Sequence, residues 1–314
     1  MNIKFINEFQ DKDSLELPLL VKNITKGITQ KGAPYASIVL QDKTGTIDGK
    51  MWDIKPEQEA VIALGQVQKV SCEVLKYNNA LQLRIHKIEP INQDEIDLSN
   101  YIIASKVSKN DLKEVITTTI ESIQNPNYKA LIAGLFDMVG EGFYEYPAAS
   151  KNHHSFLGGL ATHVVGMVKL ANALCELYPQ LNRDLLVSGV LAHDLGKMIE
   201  LSGPITTEYT LEGKLTGHIS ILHGRLMQIA NELNLGETEE AILLRHCILS
   251  HHGQLEYGSP VVPLVQEAEV LSFIDNLDAR LNTLESALES ITPGEFTQRI
   301  FAMENRSFYK PKND

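Results

Sequence analysis

Apolar and polar positions alternate through the first third of the chain, and the period then changes. The segments LPLLVKNITKGIT, APYASIVLQDKTGTIDGKMWD and QVQKVSCEVLKYNNALQLRIHKIEP alternate with β-branched enrichment, interrupted at Gly32, Gly45, Gly49 and Asn78-Asn79. They predict about five short strands over residues 17–90, which suits a small barrel. INQDEIDLSN is polar and acidic and reads as a linker. DLKEVITTTIESI, with Asp111 as a first-turn acid, and NYKALIAGLFDMV, closed by Gly140, have helical spacing, so residues 91–150 are expected to be a helical linker. After residue 150 the strongly periodic segments are helical. SFLGGLATHVVGMVKLANALCELYP carries apolar residues at 157, 160, 164, 168, 171 and 174 before Pro179. RDLLVSGVLAHDLGKM, GHISILHGRLMQIANELN, TEEAILLRHCILSHHG and PLVQEAEVLSFIDNLDARLNTLESALESI predict four further helices. Between the first two of these four, TTEYTLEGKLTGH alternates around Glu-Gly and predicts a short hairpin. SFYKPKND after Arg306 reads as poorly ordered. The expected fold class is therefore α+β and multidomain. It comprises an N-terminal extension (1–16), a five-stranded β-barrel (17–90), the helical linker (91–150), an all-α bundle (151–292) and a C-terminal tail (293–314).

Composition narrows the function classes. At 314 residues and 43% hydrophobic content the chain is long enough for two cores. No run of eighteen uninterrupted apolar residues occurs, and MNIKFINEFQDKD does not read as a signal segment, so the expectation is a cytoplasmic protein without a membrane partner. Cys72, Cys175 and Cys247 are scattered without CxxC spacing and read as core residues. A net charge of −12 argues against nucleic acid, but it hides an asymmetry. Residues 17–90 carry ten Lys and Arg against seven Asp and Glu, whereas the remainder carries eighteen against thirty-three.

Candidate chemistry lies in the helical part. Nine of the ten histidines fall between His153 and His252. His163 borders an apolar helix stripe, His193 and Asp194 follow apolar turns, and Asp275 follows Val270, Leu271 and Ile274 at helical spacing. A buried Asp is costly unless it is paired or metal-bound, and four such side chains from three helices would make a metal centre of the bundle kind. Imidazole and carboxylate donors without thiolate suit manganese, cobalt, iron or zinc. Adjacent helical residues point about 100° apart, so His251 and His252 can both act as ligands only at a helix end, which Gly253 supplies. His223 and His246, each five residues from His218 or His251, are expected in packing roles. Lys197, at i+4 from His193, could offset charge on phosphoryl oxygens.

The ordered pattern H…HD…D, met by His163, His193-Asp194 thirty residues on, and Asp275 eighty-one residues after Asp194, resembles the HD-domain metal-dependent phosphohydrolases over about residues 155–280. The resemblance implies a first ion held by His163, His193, Asp194 and Asp275 and a second held by Asp194, His218, His251 and His252. Asp194 would then bridge the ions and act with Lys197 as the catalytic pair around a metal-activated hydroxide. His154 is a candidate contact to substrate phosphate, with cap packing as the alternative. The HHExxDGxGYP signature of cyclic-dinucleotide phosphodiesterases is absent, because GQLEYGSP follows His252. The run SIVLQDKTGTIDGKMWD resembles an OB-fold barrel of the tRNA-anticodon-binding type. That resemblance makes Lys31, Tyr35, Lys50, Trp52, Lys76, Tyr77 and Arg84 candidate contacts to a single strand. Taken in order, KNITKGITQKG, HHSFLGGLATHV, HDLGK and LSHHGQLEYGSP resemble the YhaM-type 3′-5′ exoribonucleases of Gram-positive bacteria along essentially the whole chain. The implied activity is release of nucleoside 5′-monophosphates from the 3′ end of single-stranded RNA, and also of single-stranded DNA, with manganese or cobalt and two ions per site. A homo-oligomer is allowed. Two alternatives stay open: an HD-type nucleotide or cyclic-dinucleotide phosphohydrolase regulated by its OB domain, and a binding module in which the helical part is only a scaffold.

Overall fold

A computed structural model describes residues 4–29, 32–77, 80–97, 100–148, 156–205 and 207–312. The chain divides into two compact units, Met1–Ala104 and Ser105–Asp314. In the first, the alternating segments become β1 (Ser14–Ile28), β2 (Pro34–Asp42), β3 (Gly45–Trp52), β4 (Val67–Tyr77) and β5 (Ala80–Pro90), closed in the order β1-β2-β3-β5-β4. Pairing is antiparallel except between β3 and β5, where Gly49 and Lys50 meet Leu83 and Arg84 in parallel. Period two puts Leu19, Val21, Ile38, Leu40, Ile47, Met51, Val70, Val74, Leu83 and Ile85 inside the barrel and their polar neighbours outside. The tight β2–β3 turn is built by Asp42. Its Oδ1 accepts from the Thr44 backbone N–H at 2.7 Å and the Thr44 hydroxyl at 2.6 Å, and its Oδ2 accepts from the Ile6 N–H at 2.6 Å. A short helix, α1 (Pro56–Val61), connects β3 to β4.

The second unit is helical: α2 (Lys109–Ser122), α3 (Pro126–Val139), α4 (Gly159–Leu177), α5 (Arg183–Ala192), α6 (Lys197–Glu200), α7 (Leu211–Glu232), α8 (Glu239–Ser250) and α9 (Gln266–Glu289). Side-chain caps start most of the long ones: Ser108, Asn125, Asn182, Thr210 and Thr238 each accept from a backbone N–H in the following turn. Helix α4 is long and apolar enough to cross a membrane by length and composition, but here it forms part of the core of this unit. Leu160, Val164, Met167 and Val168 pack with Leu186, Val190, Leu244, Leu271 and Ile274 from α5, α8 and α9. Cys72 and Cys247 are buried and Cys175 half-buried, all as free thiols. Burial pushes the Cys72 thiol up to about 11 and the Cys247 thiol up to about 12.

Three expectations need correction. Helices α2 and α3 are not a bare linker, since Leu112, Ile116, Tyr128, Leu131, Ile132 and Leu135 belong to the same apolar core as α4 and α5. Among the described residues, the hairpin expected in TTEYTLEGKLTGH reduces to a single bridge, Leu201 to Tyr209. Thr210 then caps α7 through the Gly213 N–H at 2.9 Å, so a capping signal overrides short alternation. The C-terminal segment folds back on itself through bridges from Phe296 to Tyr309 and from Ile300 to Arg306. The Lys310 ammonium closes the end of α9 by donating to the carbonyls of Leu288 (2.8 Å) and Ile291 (2.9 Å).

Candidate metal centre

Each candidate ligand in the helical unit is placed by a helix end, a helix face or a break. His163 lies on the buried face of α4. His193 ends α5, and a turn through Asp194 and Leu195 leads to Gly196 and α6. This turn runs so close to α7 that a Cβ on Gly196 would lie 2.2 Å from the His218 carbonyl oxygen. His218 follows Gly217, whose φ of 70° and ψ of 155° break α7 and are costly for any residue with a Cβ. His251 ends α8 with His252 just beyond it, and Asp275 lies on α9.

These side chains converge as two trios. The donor atoms of His163, His193 and Asp275 lie within 4.8 Å of one another, and so do those of His218, His251 and His252. Asp194, buried with 2% exposure, stands between them. Its Oδ2 lies 3.3 Å from His193 Nε2 and 3.9 Å from His163 Nε2. Its Oδ1 lies 3.6 Å from His218 Nε2 and 3.8 Å from His251 Nε2. The Lys197 ammonium donates to Asp194 Oδ2 at 2.7 Å.

All five histidines use Nδ1 elsewhere, which directs Nε2 inward. His193, His251 and His252 donate Nδ1–H to the carbonyls of Val190 (2.9 Å), Ile248 (2.7 Å) and Tyr257 (2.7 Å). His163 donates to Asp278 Oδ2 at 2.6 Å, and His218 to Glu200 Oε1 at 3.3 Å. His193 Nε2, Asp194 Oδ1, His218 Nε2 and His251 Nε2 are buried without a hydrogen-bond partner among the described residues. Each such atom costs about 1–3 kcal/mol in a dry core. Four of them aimed at one small volume fit divalent cations, for which imidazole nitrogen and carboxylate oxygen are suitable donors. The residues present could therefore hold a divalent metal.

Electrostatics follow the same geometry. Burial alone would raise the Asp194 carboxyl, but the Lys197 ammonium and the His193 ring hold it well below the usual carboxylate range. Asp275 is held low in the same way, against burial, by His163 and His193. Burial disfavours the His163 imidazolium, yet hydrogen bonds to Asp275 and Asp278 raise it to about 9. His251 is pushed well down by burial and by the neighbouring His193 and His252, and His252 is lowered by burial and His218.

The sequence pattern missed Asp278 and Glu200, which hold two of the histidines from behind. The available signal was spacing. Asp278 lies three residues after Asp275 on the same face of α9, and Gly166 lies three after His163 on α4. A Cβ at Gly166 would lie 2.6 Å from Asp278 Oδ1, so the glycine leaves room for the carboxylate. His223 and His246 sit apart from the trios: His223 Nε2 accepts from Arg245 Nε at 3.2 Å, and His246 Nε2 accepts from the Leu264 N–H at 2.9 Å. His153 and His154 lie outside the described residues.

On the barrel, some of the strand-contact candidates meet and others do not. Tyr35 and Trp52 are register partners across β2 and β3 with ring centroids 5.2 Å apart, and Trp52 is 49% exposed. The Lys50 ammonium lies 5.0 Å from the Tyr35 ring and 5.5 Å from the Trp52 ring, and Lys50 pairs with Arg84 of β5. Lys76 and Tyr77 lie instead at the β4–β5 turn, where Tyr77 pairs with Ala80. Since β3 runs parallel to β5 with Lys50 opposite Arg84, this turn lies in the direction away from Trp52. Lys31 lies outside the described residues.

Comparison with known proteins agrees with both halves. The HD domain family matches residues 160–280, and the OB-fold nucleic acid binding domain family matches residues 20–91. A curated relative, the 3′-5′ exoribonuclease YhaM of Geobacillus sp. (strain WCH70), is 47% identical over 309 residues, covering 98% of this chain and 95% of that protein. No solved structure matches the chain at a significant level.

Proposed function

The chain belongs to the family of the YhaM 3′-5′ exoribonucleases, and on that footing we propose that it is a metal-dependent 3′-5′ exoribonuclease that also degrades single-stranded DNA. Water adds across the terminal phosphodiester, the bond from phosphorus to the 3′ oxygen breaks, and a nucleoside 5′-monophosphate leaves a shortened strand with a free 3′-hydroxyl. The observation that carries this reading is the division of Asp194, one oxygen toward each donor trio. His163, His193 and Asp275 would hold one ion and His218, His251 and His252 the other, with the Asp194 carboxylate available to both. Divalent metal bound there, manganese in the first instance, would supply Lewis acidity that lowers the pKa of water and neutralises phosphoryl charge. Lys197, held against Asp194, keeps its ammonium beside the reacting phosphate and offsets charge that develops there. On the barrel, Tyr35 and Trp52 stack on bases while Lys50 and Arg84 face the phosphates. We assign the protein to the cytoplasm, where such RNA is found.

Replacing Asp194 tests the assignment. Asp194→Ala is expected to abolish mononucleotide release from single-stranded RNA in manganese while leaving strand affinity within about twofold, because the barrel is untouched. Unchanged turnover would remove Asp194 from the centre. Intact strands alongside rapid hydrolysis of free nucleotides would favour a nucleotide phosphohydrolase instead.

A further inference from the structure

The five histidines of the centre differ in what stands behind them. Three donate Nδ1–H to main-chain carbonyls, but His163 and His218 donate to carboxylates. The two carboxylate-backed rings fall one in each donor trio. Neither carboxylate belongs to the ligand pattern, and both are built in. The Asp278 carboxylate occupies space that a Cβ at position 166 would crowd to 2.6 Å, and Glu200, on the four-residue helix α6, also accepts from the His218 backbone N–H at 3.1 Å. Glu200 therefore fixes both the ring and the main chain of His218 immediately after the break at Gly217. A carboxylate behind an imidazole fixes which nitrogen carries the proton, sets the ring orientation and makes the other nitrogen a stronger donor than a carbonyl partner does.

We infer that Asp278 and Glu200 are positioning residues, each acting through one histidine to tune one of two ion sites independently of the other. This rests on the two-ion reading given above. Asp278 acts on the site of His163, His193 and Asp275, and Glu200 on the site of His218, His251 and His252. The two sites are thereby separately adjustable although they share Asp194.

Equilibrium dialysis of the full-length protein against manganese, with the bound metal counted per chain, tests this without an activity assay. Asp278→Asn and Glu200→Gln keep side-chain shape and remove charge. Each is expected to weaken one of the two ions by about 10- to 100-fold and leave the other at its wild-type affinity, and the double variant is expected to weaken both. Gly166→Ala, which crowds the Asp278 carboxylate without replacing it, is expected to weaken the same ion as Asp278→Asn. Thermal midpoints of the metal-free variants show whether each still folds. Wild-type affinity for both ions in Glu200→Gln and Gly166→Ala overturns the inference even if Asp278→Asn does not fold. Loss of the same single ion in both carboxylate variants, with the second ion retained in the double variant, overturns the one-residue-per-site assignment. A wild-type protein that binds no manganese fails the underlying reading instead.

Discussion

His163 shows how a single residue couples the centre to protons. Without metal its ring is an imidazolium up to about pH 9, and its Nε2, which would face the ion, points at Asp275 Oδ1 3.2 Å away. An ion can be held through Nε2 only after that proton leaves, so binding below about pH 9 releases one proton from this residue. Above that value the ring is already neutral and contributes none. Calorimetric titration of manganese in buffers of different ionisation enthalpy should therefore show proton release falling by about one between roughly pH 7 and pH 10. The same count at both ends would remove His163 from the ligand set. At this scale the sequence was readable where chemistry dictates residue type. His163 and Asp275 carry donor atoms at helix positions that would otherwise be apolar, and the His193-Asp194 pair carries them where α5 ends. It marked Asp278 only by its spacing from Asp275 and gave no sign of Glu200, because carboxylates on helices are common and only contacts across the fold distinguish these two.

At the scale of elements, the centre depends on breaks more than on helices. The turn between α5 and α6 brings Asp194 forward and packs against α7 at Gly196. Adding a methyl group there places Cβ 2.2 Å from the His218 carbonyl oxygen, and a main-chain atom cannot swing aside as a side chain can. Gly196→Ala is expected to lower unfolding free energy by about 1–3 kcal/mol in denaturant titrations. Gly203→Ala, with nothing among the described residues within 4 Å of the added Cβ, should stay within about 0.5 kcal/mol of wild type. Equal midpoints for the two variants would contradict the close approach. Strong periodicity made the barrel strands and α4, α5, α8 and α9 legible from sequence. Weak or competing signals did not. The alternation in EYTLEGKLT imitates a strand over a few residues, yet the Thr210 cap and the packing of Gly213 against Glu200 make it the first turns of α7. Helices α2 and α3 looked like connectors because a linker helix and a core helix share the same periodicity. Only their contacts with the α4 and α5 core separate the two cases.

For the whole molecule, strand binding is assigned to the barrel and hydrolysis to the helical unit, two compact units on one chain. The surplus of Lys and Arg in residues 17–90 fits the first task, and the acidic remainder with its buried donor cluster fits the second. Trp52→Ala removes one face of the Tyr35–Trp52 pair and should cost about 1–3 kcal/mol of affinity for a long single strand. Hydrolysis of a dinucleotide at the helical unit should be unchanged. An equal loss on both substrates would assign Trp52 to stability of the chain rather than to the strand. Metal-dependent removal of nucleotides from the 3′ end is put to the test by incubating single-stranded RNA labelled at its 3′ end, and in parallel at its 5′ end, with the full-length protein and manganese. The 3′ label should appear at once as mononucleotide while 5′ label passes through a ladder of shortening strands, and a chelator should stop both. Early mononucleotide release from the 5′ label, or turnover unaffected by chelator, would contradict it.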